Sequence, residues 1–200
     1  APLRKRIWKQ IVERKLLEQA RLLELAGRPH RVVQRLASRV RSGDRGNLEA
    51  RGARHSWRLL FGESFRRDRD APGANALLNY GYAVLRATVA RAVAAVGLHP
   101  AIGIHHRSGL NAFQLVDDLM ESYRPAIDAA VWKMVSAGAT EVSADAKRNL
   151  ALLMYIDRRT SSGSTPLCRC VERTALSLVA VLEGKEDAVS FPELPATLEA

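Results

Sequence analysis

Long apolar runs and cysteines are both scarce in this chain, and each scarcity excludes a class of protein. No stretch approaches the roughly 20 apolar residues of a membrane span, and the first ten residues, APLRKRIWKQ, lack the apolar centre of a signal peptide. The two cysteines, Cys168 and Cys170, are too few for a disulfide framework. We therefore expect a cytoplasmic protein that makes no contact with a membrane.

Aromatic residues make up only 6% of the chain, and the alternating pattern of strands is hard to find, whereas Ala, Leu, Arg and Glu are plentiful. A content of 47% hydrophobic and 26% charged residues is typical of globular proteins. The sequence therefore predicts an all-α fold, with a single domain of about eight helices over residues 1–185. The Pro-containing residues 186–200 are expected to form a frayed tail.

Acidic residues are few in the first third of the chain. Residues 1–70 hold 19 Lys and Arg against 8 Asp and Glu, whereas residues 71–200 hold 12 against 13. The planar guanidinium of arginine suits phosphate oxygens, and a one-sided positive field attracts polyanions. This asymmetry favours a nucleic-acid-binding face over a surface that serves solubility or membrane attraction.

Glycine, proline and possible capping residues divide the rest into helical segments. The sequence predicts helices that end at Gly27 and Gly43, a third that Asn47 caps, and a long Ala-rich fourth that Asn75 caps. The low charge of the fourth indicates a central, buried helix. On the third helix, the i, i+3, i+7 spacing predicts a basic stripe that consists of Arg51, Arg54 and Arg58.

Histidines and carboxylates gather in the stretch GIHHRSGLNAFQLVDDLMESYRP, residues 103–125. A helix over 111–123 would place Asp118 and Glu121 on one face, with Asp117 beside them and His106 in the preceding loop. The core side of this helix would carry Phe113, Val116, Met120 and Tyr123. Two carboxylates and an imidazole suit Mg²⁺ or Mn²⁺. Spacing alone, however, leaves a solvated acidic helix face as the commoner explanation.

Several motifs, in a fixed order along the chain, favour the metal site over the solvated helix face. They are NYGY at residues 79–82, GLHPAIGIHH at 97–106 and DLMESYRP at 118–125, preceded by NLEARGARHSW and IWKQIVERKLLEQARLL. Together, over roughly residues 4–185, they resemble the C-terminal helical domain of the CRISPR-associated integrases that insert new spacers, in the style of type II systems. The family also has a β-rich N-terminal domain, which we expect this chain to lack.

The resemblance implies a metal-binding and catalytic triad of Glu49, His106 and Glu121, with Mg²⁺ or Mn²⁺ as the cofactor. Asp118 matches an acidic position that supports the last ligand. Asn79 and Tyr80 match residues that line the site.

A choice between adjacent histidines also follows from the resemblance. His106 is preferred to His105 because the matching family histidine precedes Arg or a similar residue, here Arg107. His105 remains an alternative if the loop is altered.

The implied activity is that of a divalent-metal-dependent DNA endonuclease and integrase, which inserts spacer DNA into the array by transesterification in a prokaryotic cytoplasm. The expected partners are double-stranded and branched DNA, a second copy in the full-length family, and a small companion acquisition protein of ferredoxin-like fold. The DNA backbone would contact Arg51, Arg54, Arg58, Arg66 and Arg67.

Two other classes of protein remain as alternatives. The chain could be a non-catalytic helical DNA-binding scaffold that uses only its basic third. A di-iron carboxylate bundle would need Glu-x-x-His pairs on two helices, and the sequence contains no Glu-x-x-His.

Overall fold

Eight α-helices and one short hairpin form the described part of the computed structural model, which comprises residues 2–106, 109–160 and 163–192. The helices are α1 (Leu3–Leu25), α2 (Arg31–Ala37), α3 (Leu48–Phe61), α4 (Ala74–Ala95), α5 (Gln114–Met120), α6 (Arg124–Ser136), α7 (Ala144–Leu152) and α8 (Leu167–Leu182). Single 3-10 turns follow α5 at Glu121–Tyr123 and α7 at Leu153–Tyr155. The prediction of a mostly helical protein is confirmed.

Two helices organise the packing. The Ala-rich α4 contacts α5, α6, α7 and α8, and it buries Leu77, Leu85 and Val89 completely, as expected for the central helix. Its small side chains allow neighbouring helices to approach closely. The basic α1 packs against α2, α3, α6 and the 121–123 turn through an apolar face that includes Ile11 and Leu16. Residues from four separate parts of the sequence therefore meet along α1.

The hairpin was not predicted. Its strands, β1 (Asp157–Thr160) and β2 (Gly163–Pro166), are antiparallel, with Arg158 opposite Thr165. The sequence predicts an all-α fold, but after α7 the chain tightens into the 3-10 turn and Ile156 takes an extended conformation. Strands of four residues are too short to show an alternating pattern in the sequence.

The first turn of α3 is held by Asp44 rather than by the predicted cap, Asn47. Asn47 has a left-handed backbone with φ of 48° and makes no capping hydrogen bond. The Asp44 carboxylate accepts hydrogen bonds from the backbone amides of Leu48 (2.9 Å) and Glu49 (3.0 Å). A carboxylate at this end of a helix also suits the helix dipole. Asp44 therefore fixes the backbone that carries Glu49.

The predicted helix over 111–123 is divided in the structure. It begins later, at Gln114, and passes through the 3-10 turn before α6 restarts with Pro125 in its first turn. Val116, Met120 and Tyr123 are buried as predicted, but Phe113 precedes the helix and is 40% exposed. The helix restarts here because proline has no amide hydrogen to donate. Proline therefore suits the first turn of a helix, where amides have no partner within the helix, and not its interior.

The predicted frayed tail packs against the protein over its described part, residues 186–192. Val189 is buried, its amide donates to the side chain of Gln10 (3.0 Å), and Phe191 packs at the edge of the core. Residues 193–200 lie outside the described residues. None of the helices described has both the length and the apolar character that crossing a membrane requires.

The motif NYGY contains a glycine that the packing requires. A Cβ atom on Gly81 would lie 2.5 Å from Cγ2 of Ile127 and 3.3 Å from Cδ2 of Leu150, both fully buried. Although alanine favours a helix by about 1 kcal/mol over glycine, overpacking costs about 1–3 kcal/mol. We expect Gly81→Ala to lower the free energy of unfolding by about 1 kcal/mol, measured by urea denaturation.

Gly46→Ala is the matched control for this substitution. There the added Cβ atom would have only an ordinary contact, 3.4 Å from Leu48. Its unfolding free energy should stay within about 0.5 kcal/mol of the wild type. Equal stability of the Gly81→Ala protein and the wild type would contradict the close approach of α4 to α6.

Candidate functional site

Glu49 and Glu121 meet at one buried ammonium group. Nζ of Lys15, on α1, donates hydrogen bonds to Oε1 of Glu49 and to Oε2 of Glu121, the latter at 2.5 Å. Glu49 lies in the first turn of α3 and Glu121 begins the 3-10 turn after α5. The Lys15 side chain is only 2% exposed. Three residues that are far apart in the sequence therefore form one charged cluster.

Attraction between the opposite charges of this cluster outweighs the effect of burial on their pKa values. Burial acts to lower the pKa of Lys15, but the attraction of Glu121 and Glu49 outweighs it and the pKa is raised. Burial likewise acts to raise the pKa of Glu121, but Lys15 and Arg124 lower it. Both groups are therefore ionised near neutral pH. Removing one partner from a buried ion pair typically costs about 3–5 kcal/mol.

Arg124 supplies a second positive charge. Its Nε lies 2.8 Å from Oε1 of Glu121, and its guanidinium lies over the ring of Tyr82, 4.5 Å from the ring centroid. The Tyr82 hydroxyl in turn donates a hydrogen bond to the buried Asp128. The last tyrosine of NYGY and the arginine of DLMESYRP therefore form one contact, which fixes Arg124 beside Glu121.

Asp118 organises the loop that carries the histidines. It is fully buried, and its Oδ2 accepts hydrogen bonds from the amides of Ile104 (2.6 Å) and His105 (2.8 Å). Its Oδ1 accepts from the amide of His106 (3.2 Å). A Cβ atom on Gly103 would lie 2.6 Å from the His106 carbonyl oxygen and 3.1 Å from Asp118 Oδ2, so the turn has room only for glycine.

The same carboxylate orients the ring of His106. Nδ1 of His106 lies 2.5 Å from Oδ1 of Asp118. This hydrogen bond, opposed by burial and helped by the charges of Asp118 and Glu121, raises the pKa of His106. In the neutral imidazole, a proton on Nδ1 leaves the lone pair on Nε2. A carboxylate that holds one ring nitrogen while the other binds a cation is a common arrangement in metal sites.

His105 is held differently from His106. Its ring stacks on the buried ring of Trp8, with 4.2 Å between centroids and 4° between planes. Burial and the neighbouring His106 lower the pKa of His105. The contact with Asp118 thus favours His106 as the histidine for a cation. Arg107, on which the sequence preference rested, lies outside the described residues.

Arg67, Asn79 and Tyr80 make contacts within the protein that the sequence did not indicate. The guanidinium of Arg67 donates to the side-chain oxygens of Asn75 (2.9 Å) and Asn79 (2.5 Å), so it braces the 66–69 loop. Its contact with DNA stays a prediction. The amide of Asn79 donates to the carbonyl oxygen of Arg69 (2.7 Å), and Tyr80 is half-buried against the core. Their roles as residues that line the site stay predictions.

The other predicted DNA contacts are exposed. Arg51, Arg54 and Arg58 project from α3, and Arg66 lies in the loop that follows it. The exposed basic stripe thus belongs to the helix that also carries Glu49. Their contact with DNA remains a prediction.

The donor groups suit a hard divalent cation in chemical type. Two carboxylates face one positively charged nitrogen, and the charge of Glu121 also helps to raise the pKa of an imidazole that Asp118 orients, that of His106. In the ranges described, however, no three His, Cys, Asp or Glu side chains are grouped as ligands of one ion. The ammonium of Lys15 lies between the two glutamates instead. The residues therefore fit Mg²⁺ or Mn²⁺, provided that Lys15 withdraws.

Sequence reasoning missed Lys15 and Arg124. The sequence does contain a signal for Lys15. It lies four residues after Ile11 and three after Val12, so a charged residue interrupts the apolar face of α1. Arg124 lies three residues after Glu121, where side chains on a helix are neighbours.

Comparison with known proteins identifies related sequences. The family described as CRISPR associated protein Cas1 matches residues 48–160, a range that contains Glu49, His106 and Glu121. A CRISPR-associated endonuclease Cas1 from Neisseria meningitidis serogroup C is 46% identical over 139 residues, which is 68% of this chain and 45% of the relative. One from Pyrobaculum aerophilum is 29% identical over 76% of this chain and 53% of its own length. The chain thus spans about half the length of these relatives.

Solved structures share the fold. A casposase bound to integration product superposes with a TM-score of 0.77 and 21% identity, over 94% of this chain and 66% of that one. A Cas1 protein from Thermotoga maritima gives a TM-score of 0.77 and 19% identity over 92% and 66%. A partial Cas6-RT-Cas1–Cas2 complex gives 0.74 and 19% over 97% and 70%.

The role of Asp118 in the loop is testable by hydrogen exchange. Asparagine has one acceptor oxygen in place of two, so Asp118→Asn should release part of the backbone of residues 104–106. We expect their amides to exchange at least about tenfold faster, since each tenfold corresponds to roughly 1.4 kcal/mol and a hydrogen bond to a charged group contributes about 1.5–3 kcal/mol.

Asp117→Asn provides a matched control on the same helix. Asp117 pairs with Arg86 and accepts a hydrogen bond from Asn111. Neither of these partners belongs to residues 104–106. Its substitution should leave the exchange of those three amides unchanged. Equal exchange in the Asp118→Asn protein and the wild type would refute the role of Asp118.

Proposed function

This chain belongs to the Cas1 family of CRISPR-associated proteins, and on that premise we propose that it carries the catalytic site of a divalent-metal-dependent DNA endonuclease and integrase. The observation that carries the proposal is the convergence of Glu49 and Glu121 on the ammonium of Lys15. His106, held by Asp118, supplies an imidazole whose pKa Glu121 influences. The proposed role is insertion of spacer DNA into a CRISPR array in a prokaryotic cytoplasm.

Glu49, Glu121 and His106 would hold Mg²⁺ or Mn²⁺. When bound, the ion would supply Lewis-acid neutralisation of a phosphodiester and of the oxygen that leaves it. The protein groups prepare the site for this chemistry. Asp118 keeps the proton of His106 on Nδ1, which leaves Nε2 as the donor atom, and Asp44 fixes the first turn of α3 beneath Glu49.

The proposed reaction is a transesterification. The 3′-oxygen of an incoming DNA end forms a bond with phosphorus while the bond from phosphorus to the 3′-oxygen of the target strand breaks, and the hydroxyl proton passes to solvent. Water in place of the DNA end would give a nick. Arg124 places a fixed positive charge beside Glu121, where it would attract the phosphate without titrating.

The exposed arginines of α3 are proposed to hold the DNA backbone. Arg51, Arg54 and Arg58 are exposed on the helix whose first turn carries Glu49, and Arg66 is exposed in the segment that follows this helix. Such contacts position a duplex but carry no sequence information. Selection of the array would then come from DNA shape and from partner proteins.

The proposed partners follow from the family. A Cas1 protein of the same fold occurs in a complex with Cas2, and we propose a small companion acquisition protein of that kind for this chain. A homodimer, as the resemblance implies for the full-length family, is also proposed. Double-stranded and branched DNA are the proposed substrates.

One observation favours a second candidate, a non-catalytic DNA-binding scaffold. The charges of Glu49 and Glu121 are balanced by Lys15 and Arg124 without any metal ion. A scaffold could keep such a cluster for stability alone. The two candidates differ in one measurable property, which is metal-dependent cleavage.

A nicking and strand-transfer assay on branched DNA with Mn²⁺ distinguishes them. We expect His106→Ala and Glu121→Gln each to lower the rate by about 100-fold or more, because loss of a group that only supports a ligand already costs about 10–100-fold. Binding of the same DNA should persist. Glu13→Gln, which neutralises the partly exposed partner of Lys9, is the control and should retain full activity.

Two outcomes of this assay would oppose the enzymatic proposal. One is a wild-type protein that shows no Mn²⁺-dependent product. The other is equal activity in the wild type and both site variants.

The DNA-binding stripe is tested separately by fluorescence anisotropy at several salt concentrations. Combined replacement of Arg51, Arg54 and Arg58 by Gln should weaken binding and reduce the slope of log affinity against log salt by about 2–3, since each phosphate contact contributes about 0.9. The matched control replaces Lys147, Arg148 and Arg169, which are also exposed. If both triple variants lose equal affinity, net charge rather than the α3 stripe determines binding.

A further inference from the structure

Lys15 has no part in the chemistry proposed above, yet it lies at the centre of the site. Its side chain is only 2% exposed, on a helix whose other buried residues are mostly apolar. Burying a lysine is costly unless it is paired. Its position therefore needs a reason in the residues that it contacts, and these are the two glutamates.

The cluster has a balanced charge in this state. Lys15 and Arg124 contribute two positive charges, and Glu49 and Glu121 contribute two negative charges. A divalent ion bound by the same two carboxylates would lie against the ammonium of Lys15, which contacts both of them. Like charges in contact repel strongly at low dielectric. Binding of the ion therefore requires that a positive charge move away.

Of the two positively charged side chains, Lys15 is the one that lies between the two glutamates proposed as ligands. Its nitrogen contacts an oxygen of each glutamate, whereas Arg124 pairs with Glu121 and is held over the ring of Tyr82. The four-carbon stem of lysine has several rotatable bonds, so Nζ can withdraw while α1 stays in place. Arg124 can remain where it is.

We propose that Lys15 is a positioning residue that acts as a built-in counter-cation. In the metal-free chain it holds Glu49 and Glu121 facing one another, and a divalent ion displaces its ammonium to occupy the same carboxylates. The inference rests on the proposed metal site. Competition from Lys15 lowers the affinity of the chain for the ion, while the same lysine keeps the two carboxylate ligands close together before the ion binds.

The test is a calorimetric titration of the 200-residue chain with Mn²⁺ alone, accompanied by thermal unfolding with and without the ion. Lys15→Met keeps the length of the side chain and removes its charge. We expect the melting temperature of the metal-free variant to fall while its dissociation constant for Mn²⁺ decreases about tenfold or more, because the competing charge is gone. A merely structural lysine would leave that constant unchanged or increase it.

Two variants serve as controls. Lys9→Met removes an exposed lysine from the same helix, one that pairs with Glu13 at 3.3 Å, and it should change neither quantity. Lys15→Arg keeps the positive charge and should restore Mn²⁺ affinity to within about threefold of the wild type, by the same charge argument.

The outcomes separate this inference from the proposed function. Wild-type binding that Glu121→Gln abolishes but Lys15→Met does not strengthen would overturn the role of Lys15 and leave the metal site intact. Absence of Mn²⁺ binding in both the wild type and the Lys15→Met protein would overturn the metal site, and the inference with it.

A measurement on the wild type covers the case in which Lys15→Met does not fold. In a lysine-selective ¹⁵N NMR spectrum, the ammonium signal of Lys15 should shift or disappear when Mg²⁺ is added, while that of Lys9 stays. A Lys15 signal that is unchanged at saturating Mg²⁺ would overturn the proposal.

Discussion

The site depends on one electrostatic constraint, which is that two ionised carboxylates from different helices cannot be brought together in a protein interior without positive charge between them. The ammonium of Lys15 meets that constraint. Because it lies on α1, the packing of α1 against α3 and the 121–123 turn is also what assembles the cluster. The basic character of α1 thus contributes to the site as well as to the net charge of the chain.

A second constraint acts on the loop before α5. A loop without regular structure leaves backbone amides unpaired, and the buried carboxylate of Asp118 accepts hydrogen bonds from three of them. The same group bonds His106, so one side chain both orders the loop and orients the imidazole. Gly103 is needed because the turn lies directly against this carboxylate. The histidine motif is therefore explained by the geometry around Asp118.

Local pattern and motif sufficed for much of the structure. Apolar periodicity gave the helices and the central place of α4, and the motifs drew attention to Glu49, His106, Glu121 and Asp118. The features that the sequence pattern missed depend on contacts between residues far apart in the sequence. The pairing of Lys15 with two glutamates, the capping by Asp44 and the use of Arg67 to brace a loop all depend on tertiary packing. The hairpin was missed because its strands are short and polar.

The central claim is that Glu49, Glu121 and His106 hold a single divalent ion, and a crystal structure of the chain soaked in Mn²⁺ tests it most directly through the anomalous scattering of manganese. The account predicts one strong anomalous peak bounded by the two glutamates and Nε2 of His106. A map with no peak there, or with its peak on other residues of the chain, would contradict it.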